Sequence, residues 1–213
     1  MNINEKFVIT ISRELGSGGH TIGQKLAERL NVRFCDKELI HALSERFQLT
    51  PSGIERLKAE KKQWLTDFMR LVFPAPAAAR FIGDEQFRVY DPEVTTDDIF
   101  LAETEILREL ADEESCVIAG RSGFFVLRNH PNKTDIFITA SREKRIARVM
   151  AKQEISRELA EEVIAKVDKG RENYIQRYAG TSRYDARNYN LSINVDGLTE
   201  DEAVDIILAY IKG

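Results

Sequence analysis

The residues best placed to do chemistry lie near the start of the chain, in Arg13-Glu14-Leu15-Gly16-Ser17-Gly18-Gly19-His20-Thr21. Its glycines follow a short apolar run, Phe7 to Ile11, and precede a pattern in which Ile22, Leu26, Ala27 and Leu30 recur three and four residues apart. A strand, a glycine turn and a helix in that order form a phosphate cradle. Glycines let successive N–H groups converge on an anion, and the helix N-terminus adds a partial positive charge. In the motif G-x-x-x-x-G-K-[ST], the backbone holds phosphates, the lysine reaches the β and γ phosphates, and the hydroxyl binds Mg²⁺. With Gly18 as the second motif glycine, Arg13 stands at the first glycine, Gly19 at the lysine and His20 at the hydroxyl. One extra residue brings Thr21 to the hydroxyl place, as a Mg²⁺ ligand. The backbone cradle from Gly16 to Thr21 is therefore kept and the lysine is missing. Arg13, His20 or a more distant cation must supply the charge, unless the stretch is a glycine-rich turn that holds no ligand.

Other groups suit the same chemistry. Arg142, Arg145 and Arg148 recur every three residues after an apolar run. Phosphoryl transfer spreads negative charge over the moving group, so arginines aimed at it are the expected device; the plainer reading is a solvated helix face. Gly120-Arg121-Ser122 follows another apolar run, where an arginine fork can grip a phosphate or simply lie in a loop. Asp36-Lys37 places a carboxylate where it could accept a proton from an attacking phosphate or orient Mg²⁺ through water; it could equally cap a helix. From Asp168 to Asn190, Arg171, Arg177, Arg183 and Arg187 alternate with Tyr174, Tyr178, Tyr184 and Tyr189. Charge for phosphates and rings for a base fit that pattern, as does a lid that excludes water, against a plainer reading of amphipathic packing. His41 and His130 stand alone, and no cluster has metal-ligand spacing. Trp64 reads as core or interface.

Strands are expected at 7–11, 32–35, 115–119, 134–139 and 191–195. Helices are expected from about 20 to 31, 37 to 47, 50 to 72, 95 to 112, 122 to 128, 156 to 178 and 200 to 212, and one capped by Ser141. Residues 73–92, with Pro74 to Ala79 and Asp91-Pro92, read as a loop. Strands alternating with helices predict an α/β fold with a parallel sheet covered on both faces. Ligands bind such sheets at the strand C-termini, where Arg13 to Thr21, Asp36, Gly120-Arg121 and Thr139 to Arg148 all fall.

The chain has 213 residues, 43% of them hydrophobic, a net charge of -4 and a pI near 5.6. That is enough for one α/β domain with an insertion, and it argues against a broad nucleic-acid-binding face. Cys35 and Cys116 sit beside apolar runs and read as buried thiols. No signal-peptide core or membrane-length apolar run is present, so a cytoplasmic protein without membrane partners is expected. The Trp64 helix and the loop after it offer a candidate homodimer contact.

The motifs in order resemble one family. ITISRELGSGGHTIGQKLAERL followed by RFCDKELI, then VIAGRSG, DIFITASREKRIARV and DKGRENYIQRY with NYNLSIN, run nearly end to end. The chain resembles the cytidylate kinase-like proteins of bacteria, a divergent branch of the P-loop nucleoside monophosphate kinases. The resemblance implies a three-layer α/β/α P-loop domain over 1–213, with an acceptor-binding helical insertion at about 50–92 and a lid region at about 153–187. It implies ATP and Mg²⁺ as cofactors and a nucleoside monophosphate as acceptor. Gly16, Ser17, Gly18, Gly19, His20 and Thr21 become the donor phosphate loop. Asp36, with Lys37 beside it, and Arg121 become acceptor contacts, and Arg145 and Arg148 lie near the transferred phosphate. Arg171 falls near the lid arginines. The insertion has little similarity to the pyrimidine-binding domain of authentic cytidylate kinases, which leaves the acceptor open. The expected activity is ATP-dependent phosphoryl transfer to a nucleoside monophosphate. The alternatives are a nucleotide-binding sensor with little or no turnover and a kinase of a non-nucleotide small molecule.

Overall fold

The computed structural model describes residues 1–36 and 96–212. Lys37, His41, Trp64, the helices expected at 37–47 and 50–72, and the loop at 73–92 lie outside the described residues.

Five strands form one parallel sheet: β1 (Val8–Arg13), β2 (Arg33–Cys35), β3 (Cys116–Ala119), β4 (Lys133–Thr139) and β5 (Leu191–Asn194). Their spatial order is β2-β3-β1-β4-β5, so β1 lies at the centre between β3 and β4. The central strands are near-continuous apolar runs because both of their faces are covered. Ile9 and Ile11 of β1 point to one face, into a core with Ile22 and Leu26 of helix α1 (Gly19–Leu30) and Val204, Ile207 and Ile211 of helix α6 (Glu200–Lys212). Val8 points to the other face, where Ile99 and Leu107 of helix α2 (Thr96–Glu113) and Val126 of the short helix α3 (Gly123–Val126) pack. This alternation along one strand produces the three layers. Two further helices, α4 (Arg142–Gln153) and α5 (Arg157–Ala179), pack through Ile146, Val149, Ala160 and Ile164. Leu15 of the glycine turn is packed against them.

The helix ends follow the sequence chemistry. The Ser141 and Ser156 hydroxyls accept from Lys144 N and Leu159 N to cap α4 and α5. Such caps contribute about 1 kcal/mol each. Gly180 closes α5 with φ 65°.

Two differences from the sequence pattern matter to the site. β1 runs two residues past Ile11, because Ser12 and Arg13 pair with Phe137 and Ile138 of the longer neighbour β4. In α2, Ile106 and Leu110 are only partly buried, while Glu103 is buried to 1% exposure. Cys35 and Cys116 are buried free thiols on adjacent strands; their mutual hydrogen bond and burial push the Cys116 thiol up. Among the described residues no helix is long and apolar enough to cross a membrane.

Candidate functional site

The turn after β1 gets its shape from two left-handed glycines, Gly16 (φ 84°) and Gly18 (φ 85°). Ser17 folds back, its N–H and hydroxyl both donating to the Glu14 carbonyl at 3.3 and 2.9 Å. Gly18 is the N-cap of α1, and no side chain caps the first turn. That leaves the partial positive charge of the helix start available to an anion. A Cβ on Gly16 would sit 2.6 Å from the Arg145 carbonyl, and one on Gly18 would sit 3.1 Å from Arg148 Nη1. The start of α4 thus presses directly on the loop, at a separation only glycine tolerates.

The α4 arginines take different places. Arg142 lies at the surface with Glu161. Arg145 is buried, and each of its three guanidinium nitrogens donates within the protein. Nε reaches the Leu15 carbonyl at 2.8 Å, Nη1 reaches Glu14 at 2.9 Å, and Nη2 pairs with Asp168. Asp168 also accepts from the Leu15 N–H. Arg145 therefore braces the loop from within. Arg148 is half-buried, pairs with Glu200 at 2.7 Å and donates to the Thr21 hydroxyl at 3.4 Å.

At the β2 end, Asp36 accepts from His20 Nε2 at 2.8 Å and lies 3.7 Å from Arg13 Nη2. Burial by itself would raise the Asp36 carboxyl. The His20 hydrogen bond and the charges of Arg13 and Arg121 overcome that and hold it down at about 2. A carboxylate so acidic accepts a proton poorly at neutral pH, so the geometry suits Asp36 to orienting cations rather than to general-base work.

Across the sheet edge, Gly120 (φ 80°), Arg121 (φ 55°) and Ser122 (φ 56°) are all left-handed. Two non-glycine residues in that region cost of order 1–3 kcal/mol each, and such strain clusters at ligand clamps. Arg121 Nη1 lies 3.9 Å from the buried Glu103, which also accepts from the Tyr174 hydroxyl at 2.7 Å. The Ser122 hydroxyl is buried with no hydrogen-bond partner among the described residues.

The C-terminal segment returns to β1. The Arg13 carbonyl accepts from Arg171 at 3.2 Å and from Arg183. Arg183 is buried and pairs with Asp168 at 3.4 Å. Arg171 is pushed down to about 9 by burial and by the neighbouring charges of Arg13 and Arg183, against the pull of Asp168. Arg13, Arg171 and Arg183 thus meet at this edge. Of the four arginines in the Arg/Tyr stretch, Arg171 and Arg183 come to the site; Arg177 pairs with Asp97 and Arg187 with Asp185 at the surface. The tyrosines pack on the protein's own rings: Tyr178 stacks on Phe100 at 4.0 Å, and Tyr189 and Tyr184 sit against Phe137.

Glu14, Asp168 and Glu103 were not singled out in the sequence, and Arg183 only as one of an alternating series. For Asp168 and Arg171 the three-residue spacing on one helix was a usable signal; the pairing of Glu103 with a strand-end arginine left none.

A central strand feeding a glycine loop into a helix, in a five-stranded parallel sheet of this order, defines a P-loop kinase fold. Residues 8–197 match the cytidylate kinase-like family, and the chain belongs to it. No curated protein matches the chain in sequence. Among solved structures, an uncharacterized protein from Eubacterium ventriosum is similar over 97% of this chain and 99% of its own, with 27% identity and a TM-score of 0.69. A shikimate kinase from Bacteroides thetaiotaomicron shares the fold over 97% and 99% of the two chains, with 16% identity and a TM-score of 0.55. A shikimate kinase from Acinetobacter baumannii, solved with shikimate, does so over 97% and 92%, at 14% and 0.51. Membership places the chain among kinase-like proteins, whose general chemistry is phosphoryl transfer.

The residues present fit a nucleotide's phosphates: a glycine turn with two left-handed residues, a helix start with no side-chain cap, and arginines gathered beside it. The fit to a metal ion is narrower. The Thr21 hydroxyl already faces a guanidinium, and no group of three His, Cys, Asp or Glu among the described residues could hold a metal. Mg²⁺ would have to be held mainly by phosphate oxygens, with Asp36 or Thr21 as a single protein contact.

Proposed function

We propose that this protein is an ATP-dependent kinase of a small phosphorylated acceptor, a nucleoside monophosphate in the first instance. The observation that carries the reading is the convergence of Arg13, Arg121, Arg171 and Arg183 on the sheet edge beside the glycine loop, where Arg171 and Arg183 both donate to the Arg13 carbonyl. Cations that repel one another are stabilised by an anion placed among them. When bound, ATP with Mg²⁺ supplies the phosphoryl group and screens its charge. The loop from Gly16 to Thr21 binds donor phosphates through its backbone, and Arg148 closes its α1 side. Arg145 fixes the loop's shape from below. Arg121 grips the acceptor's anionic group, and Arg171 with Arg13 faces the charge that spreads over the transferring group. Asp36 stays ionised and holds His20 and Arg13 in place.

A second reading is a nucleotide-binding module without turnover, favoured by the absence of the loop lysine at Gly19. Turnover of ATP with each common nucleoside monophosphate, measured beside ATP binding, separates the two. ATP consumed only when an acceptor is present supports the kinase; binding without turnover on any acceptor transfers support to the module. Arg121→Ala is expected to raise the acceptor KM about tenfold or more with ATP affinity little changed, as loss of a bidentate phosphate contact should. Equal losses for both ligands would remove Arg121 from its acceptor role.

A further inference from the structure

The two departures from G-x-x-x-x-G-K are reciprocal: a cation stands at the first glycine, Arg13, and a glycine at the cation, Gly19. In space they are a single change. A Cβ on Gly19 would lie 2.6 Å from Arg13 Cβ and 3.0 Å from its Cγ, well inside the 3.5–4.0 Å at which carbons pack. The Arg13 stem therefore fills the volume through which a side chain at position 19 would leave the backbone. At its other end, Arg13 Nη1 lies 2.0 Å from where a Cβ on Gly120 would be. The side chain runs in a slot with a glycine at either end, and the slot delivers the guanidinium beside Asp36 and the Gly120-Arg121 turn.

We propose that Arg13 is the phosphate-gripping cation of this loop, relocated from motif position seven to motif position one, and that Gly19 is glycine because Arg13 occupies its side-chain space. This rests on the phosphate-site reading above and adds which residue carries the missing charge and why the lysine is absent. The ligand class is the terminal phosphate of a polyphosphate. An arginine in that role offers two parallel N–H donors and keeps its charge at any working pH, where a lysine offers a point charge. The short bond of Asp36 goes to His20 at 2.8 Å, and Arg13 lies 3.7 Å from the same carboxylate.

The test is a swap. Wild type, Arg13→Met, Arg13→Gly, Gly19→Lys and the double variant Arg13→Gly/Gly19→Lys are each titrated calorimetrically with pyrophosphate and with ATP, and their melting is recorded. Arg13→Met keeps an aliphatic stem in the slot without the charge, and should lose about tenfold or more in affinity with melting unchanged. Gly19→Lys alone should melt lower and bind no better than wild type, because two stems compete for one volume. The double variant restores the ordinary loop order and should bind at least about tenfold better than Arg13→Gly. Arg13→Met binding within about threefold of wild type overturns the proposal, as does a folded double variant no better than Arg13→Gly. Wild type that binds neither pyrophosphate nor ATP sinks the phosphate-site reading itself, and this inference with it.

Discussion

Arg145 and Arg171 lie on adjacent helices beside the same loop, and they live in opposite electrostatic surroundings. Arg145 has a carboxylate for each end of its fork, Glu14 and Asp168, and a carbonyl for Nε. Arg171 has a carbonyl, a share of Asp168 at 3.6 Å, and other arginines as neighbours. The first arrangement is complete without a ligand. The second is short of negative charge. The lesson is that residue type does not separate a brace from a binding group; the count of counter-charges around it does.

Substitutions can break that contrast. The largest effect is expected from Arg145→Ala, which takes from Glu14 its arginine and from Asp168 one of three, and should cost roughly 3 kcal/mol of stability. Urea unfolding measures it; full stability with lost ATP binding would make Arg145 a ligand contact after all. Asp36 comes next. Its carboxyl is held at about 2, below the ordinary 3.8, so its stabilisation is present above about pH 4 and is lost as pH falls through 2. The shift corresponds to about 2 kcal/mol. The stability gap between wild type and Asp36→Asn should therefore close between pH 5 and pH 2, and a gap that stays constant would show that the charge is not what Asp36 contributes. Arg171→Gln should change stability by less than about 1 kcal/mol while weakening ATP about tenfold, the inverse of Arg145. A loss of stability on the Arg145 scale would erase the distinction. Smallest of all, Arg187→Ala, which breaks a surface pair with Asp185, should leave both stability and ATP binding at wild-type values.

Much of the scaffold was legible. Apolar runs named all five strands, and Ser141 placed the start of a helix, because these depend on neighbours in sequence. The convergence of Arg13, Asp36 and Arg121 on one edge followed from the parallel topology. What the sequence hid were the counter-charges. Whether an arginine on α4 faces a ligand or a carboxylate depends on Asp168, 23 residues away, and on Glu14, 131 residues away. No local pattern reports those partners. The surroundings of the tyrosines were hidden for the same reason: Tyr178 stacks on Phe100, and Phe137 packs against Tyr184 and Tyr189.

The bonds that tie the end of β1 to the C-terminal segment have a consequence for synthesis. The Arg13 carbonyl and the Leu15 N–H wait for Arg171, Arg183 and Asp168, which are 158, 170 and 153 residues downstream. A growing chain emerges from the ribosome with this glycine loop well ahead of its fastenings. Such distant closures are slow to form. The loop therefore stays without these braces until Asp168, Arg171 and Arg183 have been made.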